Sequence, residues 1–590
     1  MKNWLKILLL LPFTFTSVGC SSSDKIAFRS GVFTFDTYYN DKYFLLDNRE
    51  VHEEIALASH AMALSTFNGD ADYTVRSKYL REYWENIHFD NIWMSDSYYV
   101  KPQTDSIAFG IATKHISDFT VVAIAVRGGN YDAEWASNFT IGDTGNAEGF
   151  DDASNKVVEG VTNYLANYNV QGHIKFWISG YSRAAITSNM TAGKILNKLA
   201  VNELINPNVT YSAEDFYAYC FEPPMGVQIS INDAHADLYH GIHNFLNYND
   251  FVPLVAPYEW GFVRYGTDHY YPDRINDIYF DETEREKIIS LYHFTYGAQN
   301  FSDYSVDEWK FFDVGEEKAK ENNLPRESVN HSQGRFSRSL VHEIATSGFK
   351  SRNVYSVTIQ SGLTELLATM FGANPQIEKM NPSALVEIIF EYDFIKSLIL
   401  ELEQTKSSEF AMDMQMLFLQ MFGANEENYD VIEKLYLKCF AFFALLPESF
   451  KVRKDVLAQL LYRDNALGIA IGHMPEVSYS FLCACTSYFM GDKKCKLNDG
   501  NYQTLHIENP TSFSLMEKNI KKEIFSFKDG VMSSNHVSAE RFADGSIDVY
   551  LPNNGAYEYI GICDSVSRSA NSPLSYDPVY LNALPLQGGF

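Results

Sequence analysis

A serine lies where a predicted strand passes into a predicted helix. The strand-like run IKFWIS (174–179) is followed by Gly180-Tyr181-Ser182-Arg183-Ala184 and then by a helical pattern. One interpretation is that Ser182 simply caps the helix. The other is that Ser182 is a nucleophile, since a reactive serine must project from a tight turn. Gly180 and Ala184 are small enough to let a strand and a helix approach each other there.

Polar residues also follow the neighbouring predicted strands. Arg127-Gly128-Gly129-Asn130 follow VVAIAV (121–126), Glu222-Pro223-Pro224 follow FYAYCF (216–221), and Asn249-Asp250 follow HNFLNY (243–248). In open α/β sheets, active sites gather at the carboxyl ends of the strands. Asp250 could orient a histidine, and backbone N–H groups of Arg183 and of Gly128-Gly129 could bind an oxyanion. This set of groups is suited to acyl transfer through a serine.

The elements that position these groups alternate between strand and helix. IAFGIA (107–112) and the four runs named above have the length and composition of strands. DDASNKVVEGVTNYLANY (151–168) and RAAITSNMTAGKILNKL (183–199) each place apolar residues on one helical face. Residues 25–105 also carry helical periodicity, most clearly in EEIALASHAMALSTF (53–67). We expect an α/β fold with a mostly parallel sheet and helices on both faces.

Residues 105–270 resemble the class 3 (fungal triacylglycerol) lipase-like family of α/β-hydrolases. The chain as a whole resembles a bacterial lipoprotein member of that family. The segments that carry the resemblance are VVAIAVRGGNYDAEWASNF, GFDDASNKVVEGVTNYL, IKFWISGYSRAA, FYAYCFEPPMG and FLNYNDFVPLVAP. The matching positions are Arg127, Gly128, Trp135, Asn138, Gly149, Phe150, Ser182, Pro223, Pro224, Asn247, Asp250, Val252 and Pro253. The resemblance implies an α/β-hydrolase fold with Ser182 as nucleophile and Asp250 as acid.

The sequence departs from this family around the nucleophile. Tyr181 and Arg183 stand where the family usually has His and Leu, and Gly129 stands where it often has Ser or Thr. A hydroxyl donor to the oxyanion is therefore absent. The resemblance implies that a backbone N–H of Gly129 or Asn130 acts together with that of Arg183.

The base must come from the histidines downstream of Asp250, which are His269, His293, His331, His342, His473, His506 and His536. We expect His473, because GIAIGHMPEVSYSFL predicts a loop followed by a short helix. That stretch also resembles the His-x-Pro-Glu-x-Tyr segment near the end of large bacterial members of the family. His536, in SSNHVS, is the alternative base. Asp268 is the alternative acid if Asp250 only shapes the turn before Pro253.

The amino terminus has the pattern of an export signal. MKNWLKILLLLPFTFTSVGC carries Lys2 and Lys6 before an apolar run, which is too short to span a membrane. Its end resembles a bacterial lipoprotein signal, so we expect a signal peptide over 1–19 and a lipid anchor on Cys20. The expected location is the extracellular face of the bacterial cell membrane. Ordinary secretion is the alternative.

Charge and cysteine content limit the partners of this 590-residue chain. The formal net charge of −28 argues against binding to nucleic acid, which requires clustered basic residues. The six cysteines besides Cys20 are too few for a disulfide scaffold, and they lack the spacing of a zinc site. We expect no metal and no organic cofactor.

The chain divides into three regions after the signal. We expect an α/β-hydrolase core over 20–275, completed by about 465–500, with a helical insertion over 276–464. The insertion is strongly apolar, and its side chains form either their own core or a lid with walls for an acyl chain. Residues 505–590 are β-rich: GSIDVYL alternates, PNNG is a turn signal and AYEYIGI follows.

These observations predict a serine hydrolase of carboxylic esters. It would be a lipase or esterase that acts on acylglycerols or other lipid esters through a Ser-His-Asp triad. Two alternatives stay open. One is a peptidase or thioesterase on the same scaffold, and the other is a non-catalytic surface protein that keeps the fold.

Overall fold

The computed structural model describes the core of the chain and parts of the remainder. The described residues are 23–31, 33–68, 72–128, 133–247, 250–271, 351–357, 375–389, 473 and 475–490, single positions between 341 and 364, and the backbone of seven strands between 502 and 563. Most of the predicted insertion and the signal with Cys20 lie outside these residues.

The described chain begins with a β-hairpin and two helices. β1 (Asp24–Ser30) pairs antiparallel with β2 (Phe33–Tyr39), and α1 (Glu53–Leu64) and α2 (Lys78–Asn86) follow. The helical pattern predicted over 25–105 is confirmed at α1 but wrong at the hairpin. Phe28 and Phe35 pair across the two strands and are both buried, so the hairpin covers part of the core.

A central sheet positions the site residues. In the described part of the chain its strands are β3 (Asp90–Met94), β4 (Phe109–Ile116), β5 (Phe119–Val126), β6 (Gly172–Tyr181), β7 (Val209–Thr210), β8 (Phe216–Phe221), β9 (Ile242–Leu246) and β10 (Thr267–Tyr270). Their order is β10-β9-β8-β6-β5-β4-β3, with β7 beside β6. The pairs from β10 to β5 are parallel, whereas β4 pairs antiparallel with β3 and β5. The predicted mostly parallel sheet is confirmed.

Helices cover both faces of this sheet. The helices described after α2 are α3 (Glu148–Asn167), α4 (Arg183–Ala200), the short α5 (Ile231–Ala234), α6 (Pro382–Ile389), α7 (Pro475–Cys485) and the short α8 (Ser487–Met490). Successive side chains of a strand point to opposite faces, so β5 sends Val121 into one core and Val122 into the other. α1 and α7 share the first core, and α3 and α4 share the second.

The predicted insertion touches the core through Arg352. Its buried guanidinium donates to the carbonyl oxygens of five residues in one loop: Ile141, Gly142, Thr144, Gly145 and Asn146. It also donates to the side chain of Gln228 and lies over the ring of Phe262. This segment is therefore fastened beside the start of α3.

The carboxyl-terminal strands form two antiparallel sheets. Their strands are β11 (Tyr502–Ile507), β12 (Ser512–Glu517), β13 (Lys522–Lys528), β14 (Val531–Ser534), β15 (Ser538–Arg541), β16 (Ile547–Pro552) and β17 (Tyr559–Cys563). The sheet orders are β11-β16-β15 and β14-β13-β12-β17. The strands on either side of PNNG, β16 and β17, thus belong to different sheets and do not pair as a hairpin. Among the described helices, none has the length and apolarity that crossing a bilayer demands.

Candidate active site

Ser182 occupies a strained turn between β6 and α4. Its backbone angles are φ 60° and ψ −129°, a combination that costs a non-glycine residue about 1–3 kcal/mol. The strand and the helix approach closely here, since a Cβ on Gly180 would lie 2.4 Å from the carbonyl oxygen of Ala184. A strained serine projecting from such a turn is the nucleophile elbow typical of α/β-hydrolases.

The side chain of Ser182 does not cap the helix that it precedes. Ser182 is at the N-cap position of α4, yet its hydroxyl makes no capping hydrogen bond. The hydroxyl lies 2.9 Å from Nε2 of His473 instead. The hydroxyl thus lies beside a potential base rather than in a helix cap, an arrangement suited to a nucleophile.

Asp250 is held by its own loop and faces His473. Its Oδ1 accepts the Val252 N–H at 2.8 Å, and its N–H donates to the carbonyl of Asn247 at 3.0 Å. Its Oδ2 lies 2.6 Å from Nδ1 of His473. The carboxylate can only accept there, so Nδ1 carries the proton and Nε2 is left to accept from the hydroxyl of Ser182.

His473 lies two residues before α7, the helix that the sequence predicts after it. The Tyr181 hydroxyl donates to the backbone carbonyl of His473 at 3.0 Å. Further along the chain, the hydroxyl of Ser478 on α7 forms hydrogen bonds with Nε2 of His60 on α1 at 2.9 Å and with the Tyr271 hydroxyl at 2.7 Å. The imidazole is 25% exposed while the Asp250 side chain is 0% exposed, so a substrate can reach the base but not the acid.

The alternative acid and bases lie elsewhere or outside the described residues. Asp268 accepts from Arg264 and Asn244 and makes no contact with His473. His269 bonds to His243 at 3.0 Å. His506 lies in β11, and His293, His331, His342 and His536 lie outside the described residues.

The predicted oxyanion donors are described only in part. Arg183 is the first residue of α4, so its backbone N–H has no carbonyl one turn earlier to bond, and the positive end of the helix dipole adds to its field. Gly129 and Asn130 lie outside the described residues. Gly128, which is described, lies two residues after β5, and a Cβ there would be 3.0 Å from the carbonyl oxygen of Tyr181.

Two arginines near the elbow are buried: Arg127, which follows β5, and Arg183, which begins α4. Arg127 donates to Glu134 at 2.6 Å, and both side chains are buried. The guanidinium of Arg183 is buried too, and it donates to the carbonyl of Ser106 at 3.3 Å. Loss of hydration lowers the pKa of Arg183, against the opposing pull of Glu134. Asp105 opposes this shift as well, so the two guanidiniums face two carboxylates, Glu134 and Asp105.

Two residues near Ser182 and Asp250 were not predicted to contribute. Tyr181 contacts His473, and its signal in the sequence is that it replaces the histidine usual in the resembling family. Glu222 follows β8 directly, and its carboxyl lies beside the loop of Asp250. Within the described ranges, no group of three or more His, Cys, Asp or Glu side chains is arranged to hold a metal ion.

Comparison with known proteins gives structural matches only. No protein-family model matches the chain, and no curated protein matches it in sequence. Rhizomucor miehei triacylglyceride lipase is 18% identical, with 38% of this chain and 82% of that chain covered and a TM-score of 0.27. A lipase from Rhizopus microsporus var. chinensis is 13% identical, with 46% and 84% covered and a TM-score of 0.26. Lipase II from Rhizopus niveus is 11% identical, with 37% and 79% covered and a TM-score of 0.26. The fold and site described above rest on their own geometry.

Proposed function

We propose that the protein is a serine hydrolase that cleaves carboxylic esters, with Ser182 as nucleophile, His473 as base and Asp250 as the orienting acid. The observation that carries the proposal is the continuous hydrogen-bonded chain from the Ser182 hydroxyl through His473 to Asp250, with distances of 2.9 and 2.6 Å. The strained elbow supports it, since strain of this kind persists only where the surrounding fold enforces it.

The reaction follows from the roles of these groups. Nε2 of His473 takes the proton of Ser182 as the hydroxyl attacks the acyl carbonyl, and Asp250 stabilises the imidazolium that forms. The N–H of Arg183, with Gly129 or Asn130, binds the oxyanion. His473 then protonates the leaving alcohol, and water hydrolyses the acyl-enzyme by the reverse sequence.

The proposed substrates are lipid esters such as acylglycerols. The motif resemblance and the apolar composition of residues 276–464 support this class, because an acyl chain needs apolar walls. A panel of p-nitrophenyl esters of increasing chain length, beside a peptide and a thioester, would test it. If the peptide or the thioester were turned over faster than the esters, the protein would be assigned as a peptidase or a thioesterase instead.

The activity itself is tested with a fluorophosphonate probe, which labels an activated serine. We expect labelling of the wild type and its loss in Ser182→Ala and His473→Ala, each by at least about 10⁴-fold in rate. His115→Ala is the matched control, since His115 is exposed on β4 and bonds only to Thr120 among the described residues. His536→Ala tests the alternative base.

The outcomes separate the proposal from its alternatives. Labelling that survives in His473→Ala and disappears in His536→Ala would move the base to the carboxyl-terminal region. A folded wild type that stays unlabelled with and without detergent would favour a non-catalytic binding protein. Detergent is included because a closed lid would hide the serine.

The lid and the anchor are separate proposals. The apolar insertion would form a lid, and long-chain ester cleavage that persists after proteolytic removal of residues 330–460 would contradict this. Cys20 would carry a lipid that holds the protein at the extracellular face of the membrane. Metabolic labelling with an alkynyl fatty acid should mark the wild type but not Cys20→Ala. A wild type that is not labelled would leave secretion as the alternative, and equal labelling of both would exclude Cys20 as the attachment site.

A further inference from the structure

Glu222 is a buried carboxyl at the carboxyl end of β8, next to the acid of the site. It is 0% exposed and has a left-handed backbone with φ 51°. Its N–H donates to the carbonyl of Phe245 at 2.8 Å, and its Oε2 accepts the N–H of Asn247 at 2.7 Å. The side chain is thus fixed between the ends of β8 and β9, directly under the loop that carries Asp250.

The charged surroundings of Glu222 do not suit a second anion. The Asp250 side chain is buried, and its Oδ2 faces Nδ1 of His473. Arg264 is the nearby cation, but its guanidinium donates to Asp268 and to the carbonyls of Pro223 and Pro253. Among the described residues, the hydroxyl of Tyr271, which is itself buried, is a further titratable neighbour. Two adjacent carboxylates in such a setting repel each other strongly.

The surroundings of one oxygen of Glu222 indicate how this repulsion is avoided. Oε1 is buried and has no hydrogen-bond partner when the group is treated as a carboxylate, which can only accept. A proton on Glu222 turns the same group into a donor, and the carboxylate of Asp250 is the neighbouring acceptor. Such a carboxyl–carboxylate bond satisfies both buried groups with one shared negative charge.

We propose that Glu222 is protonated and donates a hydrogen bond to Asp250, which makes it a positioning residue of the triad. Burial first, and then the charge of Asp250 and hydrogen bonding to it, hold the pKa of Glu222 well above its usual range. The inference rests on the proposed hydrolase function for its consequence, but not for the position of the proton.

The consequence concerns the basicity of His473. A hydrogen bond from Glu222 spreads the charge of Asp250, so Asp250 stabilises the imidazolium less. In Glu222→Leu this donor is lost, so the full charge of Asp250 faces the imidazolium and the labelling rate falls at a higher pH. Glu222→Gln is the matched variant, because its amide can accept from Asn247 and donate to Asp250 without titrating.

The experiment is the pH profile of the fluorophosphonate labelling rate for these three proteins. We expect the acid limb of Glu222→Leu to move to higher pH by about one unit, while that of Glu222→Gln stays with the wild type. An ionised Glu222 would give the opposite sign, since loss of its charge would move the acid limb of both variants to lower pH. A shift to lower pH, or no shift in Glu222→Leu, would overturn the proposal.

A second measurement does not depend on activity or on the folding of Glu222→Leu. The infrared difference spectrum of wild type minus Glu222→Gln at neutral pH should contain the carbonyl stretch of a protonated carboxyl, and absence of that band would overturn the proposal. A wild type that shows the band but is never labelled would contradict the hydrolase function while leaving the Glu222–Asp250 bond intact.

Discussion

The hydroxyl of Tyr181 donates to the backbone carbonyl of His473 at 3.0 Å. Tyr181 directly precedes the candidate nucleophile, and this bond holds the backbone of the candidate base. The two rings also lie close, with centroids 5.4 Å apart. This contact joins positions 292 residues apart in the chain. The hydroxyl of Tyr181, and not only its ring, therefore positions His473.

Tyr181→Phe should reduce activity more than stability. The variant keeps the ring contact and loses one hydrogen bond, worth about 0.5–1.5 kcal/mol in unfolding free energy, but His473 loses an anchor and its alignment with Ser182. We expect the labelling rate to fall roughly 10-fold. Tyr217→Phe is the control, because that hydroxyl donates to the carbonyls of Phe44 and Leu46 away from the site. Equal labelling rates in the two variants would contradict the anchoring role.

Gly180→Ala should distort the elbow. The added methyl would lie 2.4 Å from the carbonyl of Ala184, so β6 and α4 must separate, at a cost of about 1–3 kcal/mol. We expect a lower melting temperature and a labelling rate reduced at least about 10-fold. Gly172→Ala, at the other end of β6, adds strain at φ 81° with open space around it. That control should lose stability and keep its labelling rate, and a Gly180→Ala protein that labels like wild type would refute the close-packing argument.

The free energy of unfolding should fall as the pH drops below about 6.5. Burial lowers the pKa of His60 to about 3, that of His243 to about 4 and that of His269 to about 3. The unfolded chain binds protons below its own histidine pKa near 6.5, whereas the folded chain does not until pH 3–4. Each histidine therefore contributes a slope of up to about 1.4 kcal/mol per pH unit in this window.

Urea denaturation between pH 7 and pH 4.5 measures this slope. His60→Gln can keep the bond to Ser478 and cannot titrate, so its stability should depend on pH less steeply than that of the wild type. His88→Gln changes an exposed histidine and should leave the slope unchanged. A wild-type stability that is flat over this range would show that the three imidazoles take up protons without unfolding.

Arg352→Lys should loosen the attachment of the insertion. A lysine keeps the charge, but one ammonium cannot serve the carbonyls that the guanidinium bonds around residues 141–146. We expect a lower melting temperature and faster proteolysis between 272 and 350. Arg49→Lys is the control, since Arg49 forms exposed ion pairs with Glu214 and Asp237 that contribute little. Similar proteolysis of both variants would mean that Arg352 does not fasten this segment.

The sequence predicts the parallel part of the sheet well, because a strand buried on both faces is apolar throughout. VVAIAV, IKFWIS and FYAYCF all fall in strands, and the residues that follow them meet at one edge. β1 and β2 were not predicted, since each is exposed on one side and mixes charged with aromatic residues. Their pairing depends on a partner strand and on the core beneath it, which a local pattern does not contain.

The contacts around the candidate site divide in the same way. Ser182 and Asp250 follow strands, and His473 precedes a helix, so local patterns locate all three. The bonds of Tyr181 to His473 and of Glu222 to the loop of Asp250 depend on tertiary packing between distant segments. In the sequence, Tyr181 stands out only as a departure from the resembling family, and residue type does not show what either residue contacts.

The position of His473 in the chain has a consequence for biosynthesis. Asp250 and His473 are 223 residues apart, and α7 must dock on α1 before the imidazole reaches Ser182. At about 5–20 residues per second, a growing chain carries the nucleophile and the acid for roughly 10–45 s before the base is made. During synthesis the proposed triad is thus incomplete until residue 473 has been made and α7 has docked.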